Sequence, residues 1–292
     1  MSVLTDALDG WAPGPVTDTD ALRAWPVAAF SGMLDLPGTV ADDGDPIPPL
    51  WHWFAFLEHP AQAELGADGH PTDGHFLPPI PDRRRMFAGG RLRIDEPVRV
   101  GEQVRRDTAL DGVRIKSGRS GEMAFVTLRQ EFHRVADDRL LMVEEQDFVY
   151  RSQPAGTGRG MSAPEPVDPP SHEHALTIAT GPELLFRFSA LTYNAHRIHY
   201  DHPYATGVEG YPGLVVHGPL LAMTALEIPR RHAAGQRVTS FEYRLTSPAF
   251  AGADLWAGGS AVTGEGSGAP GMEIECGSVG GPASVRGRVE LG

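Results

Sequence analysis

Apolar and polar positions change their spacing twice along the 292-residue chain, and each change predicts a helix followed by strands. Residues 50–57 are apolar and aromatic almost throughout, which predicts a buried helix that begins after two prolines. From Met86 onward polar and apolar residues alternate, as they do in antiparallel strands with one buried face. The alternating runs cover residues 91–95, 103–108, 124–132 and 141–150. The first half is therefore predicted to be one helix and about four strands.

The second half repeats this order. Residues 220–228 predict an apolar helix, and four strand patterns follow it, at residues 238–245, 254–262, 272–276 and 283–291. In each half a proline ends the first of the four strands and a glycine follows four residues later. These pairs are Pro97 with Gly101 and Pro248 with Gly252. The shared order predicts a tandem duplication.

Between the halves lies a segment with almost no apolar residues. Residues 151–171 contain five prolines and three glycines, which is typical of a linker. We therefore predict an N-terminal domain over residues 1–150 and a C-terminal domain over residues 172–292. One helix wrapped by a strongly bent antiparallel sheet, twice in tandem, indicates an α+β fold of the double hot-dog type.

The remaining N-terminal residues predict less regular structure. Two short helices are expected at residues 21–26 and 27–34, and a loop at residues 36–47. Residues 59–82 are rich in glycine, histidine and proline, so they are expected to be irregular.

Composition argues against several classes of protein. A net charge of −13 is unfavourable for binding a nucleic-acid backbone or an anionic membrane surface. The single cysteine, Cys276, rules out an intrachain disulfide and predicts a reducing compartment. The chain shows no signal peptide pattern at its N-terminus and no apolar run of membrane-spanning length. These features predict a cytoplasmic protein with no membrane or nucleic-acid partner.

Polar residues concentrate in residues 186–228. Four of the twelve histidines lie there, together with Asn194, Arg197 and Asp201, and the apolar helical pattern of residues 220–228 follows directly. Polar groups at this density, set against apolar sequence, predict a pocket.

The segment from Ser189 to Pro203 resembles the MaoC-type (R-specific) enoyl-thioester hydratases and dehydratases. Their motif is roughly Ser-Gly-Asp-x-Asn-Pro-(Leu/Ile)-His-x-Asp-Pro, with a His-Gly pair opening the helix downstream. Residues 198–201 match the His-x-Asp part, Asn194 matches the asparagine, and residues 217–219 match the helix start. The amino-acid sequence of this segment is closer still to a subgroup that includes mesaconyl-C4-CoA and itaconyl-CoA hydratases and type 2 3-hydroxyacyl-thioester dehydratases. The resemblance covers most of residues 45–250.

This resemblance implies reversible hydration of an α,β-unsaturated acyl thioester, without an organic cofactor. A CoA ester is the expected substrate and an acyl-carrier-protein ester the alternative. A short C5 dicarboxylyl group such as mesaconyl or itaconyl is favoured, with a 3-hydroxyacyl thioester second. One departure matters: the wider family has a catalytic aspartate two residues before the asparagine, where this chain has Thr192.

Hydration needs a base for water, an acid for the α-carbon and donors for the enolate oxygen. A neutral histidine suits the first role near pH 7, and backbone N–H groups at a helix start suit the last. We assign His199 as base and acid, Asn194 as the group that positions water, and the Gly218 N–H as oxyanion donor. Thr192 and Tyr193 are second candidates at the substrate.

Other residues are assigned to the substrate. Arg84, within the run of residues 83–85, suits the phosphates of coenzyme A, although this run also fits a solvated turn. Arg197 is expected to bind a substrate carboxylate or to pair with Asp201 or Glu209. His217 is expected to line the site by packing or hydrogen bonding.

Several alternatives stay open. His199 could be a structural histidine, Asn194 a loop former and Gly218 simply a helix-start glycine. No metal site is predicted, but one could be built from the five residues His196, His199, Asp201, His202 and His217. A hot-dog thioesterase, or a non-catalytic acyl-thioester-binding protein, are the rival functions.

The first half has no counterpart of the His199 motif. It is therefore expected to be a non-catalytic repeat that shapes the acyl pocket. A homodimer of double hot-dogs is a further expectation, because pairing between sheets removes exposed strand edges.

Overall fold

Ten antiparallel strands form one sheet in this computed structural model, which describes residues 2–292 except 119–120, 155–159, 163–164, 169, 234 and 264–269. The strands are β1 (Val16–Asp20), β2 (Arg83–Ile94), β3 (Val104–Gly118), β4 (Gly121–Arg134), β5 (Leu140–Ser152), β6 (His174–Ile178), β7 (Val238–Leu245), β8 (Leu255–Thr263), β9 (Pro270–Ser278) and β10 (Ala283–Leu291). Their order in the sheet is β1-β3-β4-β5-β2-β7-β10-β9-β8-β6. This order is symmetrical about its centre, so each half of the chain supplies five strands in the same arrangement.

Five helices accompany the sheet: α1 (Val3–Leu8), α2 (Ala24–Met33), α3 (Pro182–Thr192), α4 (His202–Gly207) and α5 (Gly218–His232). Short 3-10 turns lie at Trp51–Phe54, Gln62–Glu64 and Arg197–His199. Every residue of α5 from Leu220 to Pro229 is buried, because strands of the second half wrap the helix. Within the described residues, no helix is both long and apolar enough to cross a membrane.

The predicted duplication is visible in matching backbone hydrogen bonds. The Ile47 N–H donates to the Val98 carbonyl, and the Val216 N–H donates to the Ala249 carbonyl. In each half the acceptor directly follows the proline that ends the first long strand, Pro97 or Pro248. Residues 46 and 99 form an isolated bridge, and residues 215 and 250 form its counterpart. Trp51 follows Ile47 by four residues, just as Leu220 of α5 follows Val216 by four residues. The 3-10 turn Trp51–Phe54 therefore occupies, in the first half, the place of α5 in the second.

The two halves join where β2 pairs with β7. Five residue pairs connect these strands, from Gly89 opposite Arg244 to Arg93 opposite Ser240. Across the same junction, α2 packs against α3, and the ring of Phe30 lies 6.0 Å from that of Phe188. One hydrophobic cluster therefore contains residues of both halves.

All eight predicted strands are present, within β2–β5 and β7–β10. Alternation identified them because each strand buries one face against the core and exposes the other. The short edge strands β1 and β6 were not predicted. Four of the five residues of β1 are polar, so this strand carries no alternating signal.

The helix predicted at residues 50–57 is wrong. Leu50 has a φ of 69°, the 3-10 turn ends at Phe54, and Phe56 again has a positive φ, of 56°. Trp51 and Phe54 are buried as predicted, against Phe30 and Phe188, whereas Trp53 and Phe56 are only partly buried. A buried apolar run can form either a helix or a short turn, and here hydrogen bonds from His52 and Trp53 to the carboxylate of Glu144 accompany the shorter 3-10 turn.

The short helices predicted at residues 21–26 and 27–34 are one helix, α2. The loop at residues 36–47 and the irregular segment at residues 59–82 are largely as predicted. Part of the predicted linker, residues 155–159, 163–164 and 169, lies outside the described residues.

Candidate active site

The polar loop between α3 and α5 is shaped by local hydrogen bonds. Tyr193 ends α3 in the left-handed region, with a φ of 50°. The side-chain oxygen of Asn194 accepts a hydrogen bond from the His196 N–H at 2.9 Å, a turn that asparagine forms readily. The turn Arg197–His199 follows, and Asp201 caps α4 through the Tyr204 N–H. This sequence of turns carries the His199 side chain inward.

His199 is buried, with 7 % of its surface exposed. Its Nδ1 lies 2.7 Å from the Val215 carbonyl, which can only accept, so Nδ1 carries the proton and Nε2 is a bare acceptor. Burial lowers the pKa of His199 to about 4, although the bond to Val215 opposes this. At neutral pH the ring is therefore an uncharged imidazole whose tautomer is fixed, as a general base requires.

His217 lies directly on this ring. The two imidazoles stack with centroids 3.6 Å apart, and Nε2 of His217 is hydrogen bonded to the Ser189 hydroxyl at 2.9 Å. Burial, and then the neighbouring His199, lower the pKa of His217 well below its usual value. Among the residues that the structure describes, no hydrogen-bond partner lies at its buried Nδ1. His217 thus packs on His199 and is hydrogen bonded to Ser189, and its place at the substrate stays a prediction.

Gly218 begins α5 immediately after His217. The N–H groups of the first helical turn have no partners within the helix, and the helix dipole favours negative charge there. A Cβ on Gly218 would lie 2.4 Å from a methyl of Leu245 and 3.4 Å from the ring of Phe87. The absence of a side chain therefore lets Leu245 and Phe87 pack closely against the helix start.

Three other predicted residues occupy the edge of this loop. Thr192 donates its hydroxyl to the Phe188 carbonyl at 2.8 Å, and Tyr193 is 63 % exposed. Asn194 uses its amide oxygen for the turn at His196, which leaves its NH2 group for other partners. The structure thus gives Thr192 and Asn194 local backbone bonds and places the Tyr193 side chain towards solvent.

Both predicted arginines are bound to carboxylates. Arg197 donates from Nε and Nη2 to Asp201, donates from Nη1 to the Ala67 carbonyl, and lies over the ring of Tyr204. The pairing with Asp201 is one of the two that the sequence predicted. Arg84 pairs with Glu209 and donates to the Gln153 carbonyl. Each guanidinium therefore has fixed protein partners.

The first half supplies two residues that the sequence analysis did not single out, Asp68 and His70. Nδ1 of His70 lies 3.2 Å from an oxygen of Asp68, and the ring of His70 lies 3.9 Å from that of His196. Asp68-Gly-His-Pro lies in the segment predicted to be irregular. Polar residues between closely spaced glycines were the signal in the sequence that could have identified this pair. Nothing in the sequence indicated that His70 would contact His196, which lies 126 positions later.

Metal-type donors gather in a different set from the one considered in the sequence. One ligand atom each from Asp68, His70 and His196 lie within 4.8 Å of one another. Asp201 is instead paired with Arg197, and His202 begins α4. Of the five residues in the alternative metal site, only His196 belongs to the observed group.

Comparison with known proteins identifies the family and a relative. The family described as hydroxyacyl-thioester dehydratase type 2 matches residues 50–251. A mesaconyl-C(4)-CoA hydratase from Chloroflexus aurantiacus is 46 % identical over 235 residues, which cover 80 % of this chain and 81 % of the relative.

Solved structures share the fold. A MaoC-like dehydratase from Phytophthora capsici superposes with a TM-score of 0.67 at 16 % identity, covering 99 % of this chain and 98 % of that one. A Mycobacterium tuberculosis protein with a double hotdog fold superposes with a TM-score of 0.60 at 18 % identity, covering 100 % and 99 % of the two chains. The predicted tandem double hot-dog is thereby confirmed.

The family match spans the irregular segment of the first half, the histidine loop and the start of α5, which are the parts that form this site. The predicted resemblance is confirmed: the chain belongs to the type 2 hydroxyacyl-thioester dehydratases.

Proposed function

We propose that this protein is a hydro-lyase that reversibly hydrates an α,β-unsaturated acyl-CoA thioester. The observation that carries the proposal is the buried, neutral His199, with its Nε2 bare and its ring stacked beside the start of α5. The 46 % identical relative is itself a hydratase of a CoA ester. The addition of water needs a base for the water and N–H donors for the enolate oxygen, and the two must lie close together.

In the proposed reaction, Nε2 of His199 takes a proton from water as the water oxygen bonds to the β-carbon. The thioester oxygen gains negative charge and is held by the Gly218 N–H at the positive end of α5. The α-carbon then gains a proton, which completes the addition. The NH2 group of Asn194 orients the water, since its oxygen is held by the loop.

The favoured substrate is a short C5 dicarboxylyl ester such as mesaconyl-CoA, with itaconyl-CoA and simple 3-hydroxyacyl thioesters as further candidates. The name of the 46 % identical relative supports this choice. Arg84, which lies beside Tyr204 and Glu209 at the edge of the site, is the cation that we assign to the substrate's negative groups. Thr192 and Tyr193 stay second candidates, since the first has a local partner and the second faces solvent, and Arg197 stays a candidate for a substrate carboxylate.

A thioesterase is the rival reaction, in which a carboxylate near the helix start would direct water to the carbonyl carbon. Glu209 precedes Gly218 by nine residues and Glu227 lies within α5, and both of these acids are engaged. Glu209 accepts from Arg84 and Tyr204, and Glu227 is bound to Arg230 and Arg231 within α5. This arrangement favours hydration over thioester hydrolysis.

The remaining expectations belong to the same proposal. Residues 1–150 and 172–292 act as the two hot-dog units, the first shaping the acyl pocket, in a cytoplasmic enzyme that forms a homodimer. Cys276 is a buried free thiol, and burial raises its pKa. A free thiol is compatible with a reducing compartment.

The first experiment follows enoyl-thioester absorbance with mesaconyl-, itaconyl- and crotonyl-CoA, with a thiol reagent in parallel. We expect absorbance to fall with the wild type, without thiol release. His199→Asn should lower the rate by about a hundredfold or more, because Asn keeps the donor to Val215 but removes the base. His75→Asn, at an exposed histidine bonded to the Gly14 carbonyl, is the matched control and should behave as wild type.

Thiol release would identify a thioesterase instead. A His199→Asn variant as active as the wild type would refute the assigned base. Tight binding of the esters with neither reaction would favour the non-catalytic acyl-thioester-binding protein.

A further inference from the structure

The Asp68–His70 pair belongs to the first half of the chain, yet it lies against the histidine loop of the second. The Asp68 carboxylate accepts from the His70 backbone N–H at 3.0 Å and is 3.2 Å from its Nδ1. Because a carboxylate only accepts, Nδ1 carries the proton and Nε2 of His70 is the free nitrogen. Both side chains are about one quarter exposed, at 25 % and 23 %, so solvent reaches the pair.

The segment that carries this pair is fixed to the histidine loop through its backbone. The Arg197 N–H donates to the Asp68 carbonyl at 2.8 Å, and the Arg197 guanidinium donates to the Ala67 carbonyl. Gly69, with a φ of 88°, passes so close that a Cβ there would lie 1.9 Å from the Ala195 carbonyl oxygen. Only glycine allows this approach. The position of His70 relative to the loop is therefore set by the fold.

Four imidazoles then form a row from solvent to the interior. His70 lies 3.9 Å from His196, His196 lies 5.4 Å from His199, and His199 lies 3.6 Å from His217, measured between ring centroids. One ring nitrogen of His196 is within 4.8 Å of a ring nitrogen of His70 and of an oxygen of Asp68. The row places the exposed pair beside the loop that carries the proposed base.

The reaction leaves a role for such a pair. Hydration needs one group to take the water proton and one to supply the proton that the α-carbon gains. The motif aspartate of the wider family is replaced by Thr192, whose hydroxyl donates to a helix carbonyl. His199 has a fixed tautomer with one free nitrogen, which suits it to a single proton transfer at a time.

We propose that Asp68 and His70 are the second proton-transfer pair of this site. His199 takes the proton of the attacking water as the C–O bond forms at the β-carbon. His70 first takes a proton from solvent on Nε2, and this proton then forms the C–H bond at the α-carbon. His199 returns the water proton to solvent, so the net change is the addition of one water. Dehydration runs the same transfers in reverse. The proposal rests on the proposed function.

The charges around the pair fit this role. Burial raises the pKa of Asp68, but the hydrogen bond and charge of His70, with Arg84, outweigh it and keep the carboxylate ionised. Burial and the surrounding His70, His199, His217 and Arg84 hold the pKa of His196 well below its usual value. His196 therefore stays uncharged beside the pair, and the ionised Asp68 directs an acceptor oxygen at Nδ1 of His70.

The same three residues could be imagined as metal ligands, but their geometry does not suit a shared metal ion. Nδ1 of His70 is already directed at Asp68, and the rings of His70 and His196 face each other at 3.9 Å with an angle of 36°. Two imidazoles on one metal direct their nitrogens at a common point and hold their rings further apart. The guanidinium of Arg84, close enough to act on both Asp68 and His196, also disfavours a cation there.

The test measures kcat and KM for the CoA ester that the wild type hydrates best, with His70→Asn, His70→Ala and Asp68→Asn. Asn at position 70 retains a donor for Asp68 and removes the transferring nitrogen. We expect kcat to fall by about a hundredfold in both His70 variants with KM changed less than about threefold, and by less in Asp68→Asn. Added imidazole should restore at least several-fold of the loss in His70→Ala, at an unchanged melting temperature.

His75→Asn, in the same irregular segment, should match the wild type throughout. A wild-type kcat in His70→Asn would overturn the proposal while leaving the hydratase assignment intact. A loss that imidazole does not rescue, accompanied by a lower melting temperature, would assign His70 a structural role. Inactivation of the wild type by EDTA and recovery with Zn²⁺ would make the residues metal ligands. A wild type that hydrates none of the esters would refute both the function and this pair.

Discussion

At the scale of single residues, the site depends on imidazoles that burial keeps uncharged. His196, His199 and His217 all have a pKa below the usual value, with burial as the largest cause, and for His199 it is about 4. In the unfolded chain each of these imidazoles would have a pKa of about 6.5. Between these values the unfolded chain binds protons that the folded protein does not, so folding stability rises with pH across this window.

This difference predicts acid sensitivity with a definite sign. The stabilisation is complete above about pH 6.5 and is lost as pH falls towards 4, and for His199 alone it amounts to about 3 kcal/mol. Urea unfolding at pH 7.5 and 4.5 should show a large decrease in the wild type and a smaller one in His199→Asn. The exposed-site variant His75→Asn should retain the full decrease. Equal decreases in all three proteins would show that His199 is not held neutral by the fold.

Residues of the site differed in how far sequence could identify them. His199, Asn194 and Gly218 stand in a motif whose spacing is local, so a single segment revealed them. Asp68 and His70 meet His196 only because the first half folds back onto the loop, through a backbone bond from Arg197 to Asp68. Contacts across such a sequence separation depend on tertiary packing, which no local pattern contains.

At the scale of elements, the strands were predictable because their alternation is itself the burial pattern. The backbone form of the aromatic segment before β2 was not predictable from such a pattern, since its side chains hydrogen-bond to a carboxylate that is distant in sequence. Glu144 on β5 is buried, and it accepts hydrogen bonds from His52, Trp53 and Gln146. This carboxylate fixes the 3-10 turn Trp51–Phe54 in the place that α5 occupies in the second half.

Replacing Glu144 should therefore be costly. Glu144→Ala leaves buried donors of His52 and Trp53 without an acceptor, so we expect a loss of about 3 kcal/mol in the free energy of unfolding. Its neighbour Glu145 is more exposed and pairs with Arg91 and Arg129 on the surface. Glu145→Ala should change stability by less than about 1 kcal/mol. Chemical denaturation of the two variants makes the comparison, and similar losses would remove Glu144 as the anchor of the turn.

At the scale of the whole molecule, the duplication is not a pair of independent units. β2 and β7 form the centre of one sheet, and a single hydrophobic cluster draws on both halves. The linker composition of residues 151–171 predicted separate domains, and composition alone could not reveal that the halves share a core. Phe30 lies at this shared core, with its ring 4.9 Å from Trp51 and 6.0 Å from Phe188.

The shared core predicts that the two halves unfold together. Hydrogen exchange in increasing urea, followed by mass spectrometry, should give β4 and β9 the same midpoint, although they lie in different halves. Phe30→Ala removes a fully buried ring and should lower the stability of both strands by about 3–5 kcal/mol. Val135→Ala, at an exposed position after β4, is the control and should shift neither midpoint. If Phe30→Ala lowered the midpoint of β4 and left that of β9 unchanged, the halves would be separate folding units, and the contact between His70 and His196 could open without global unfolding.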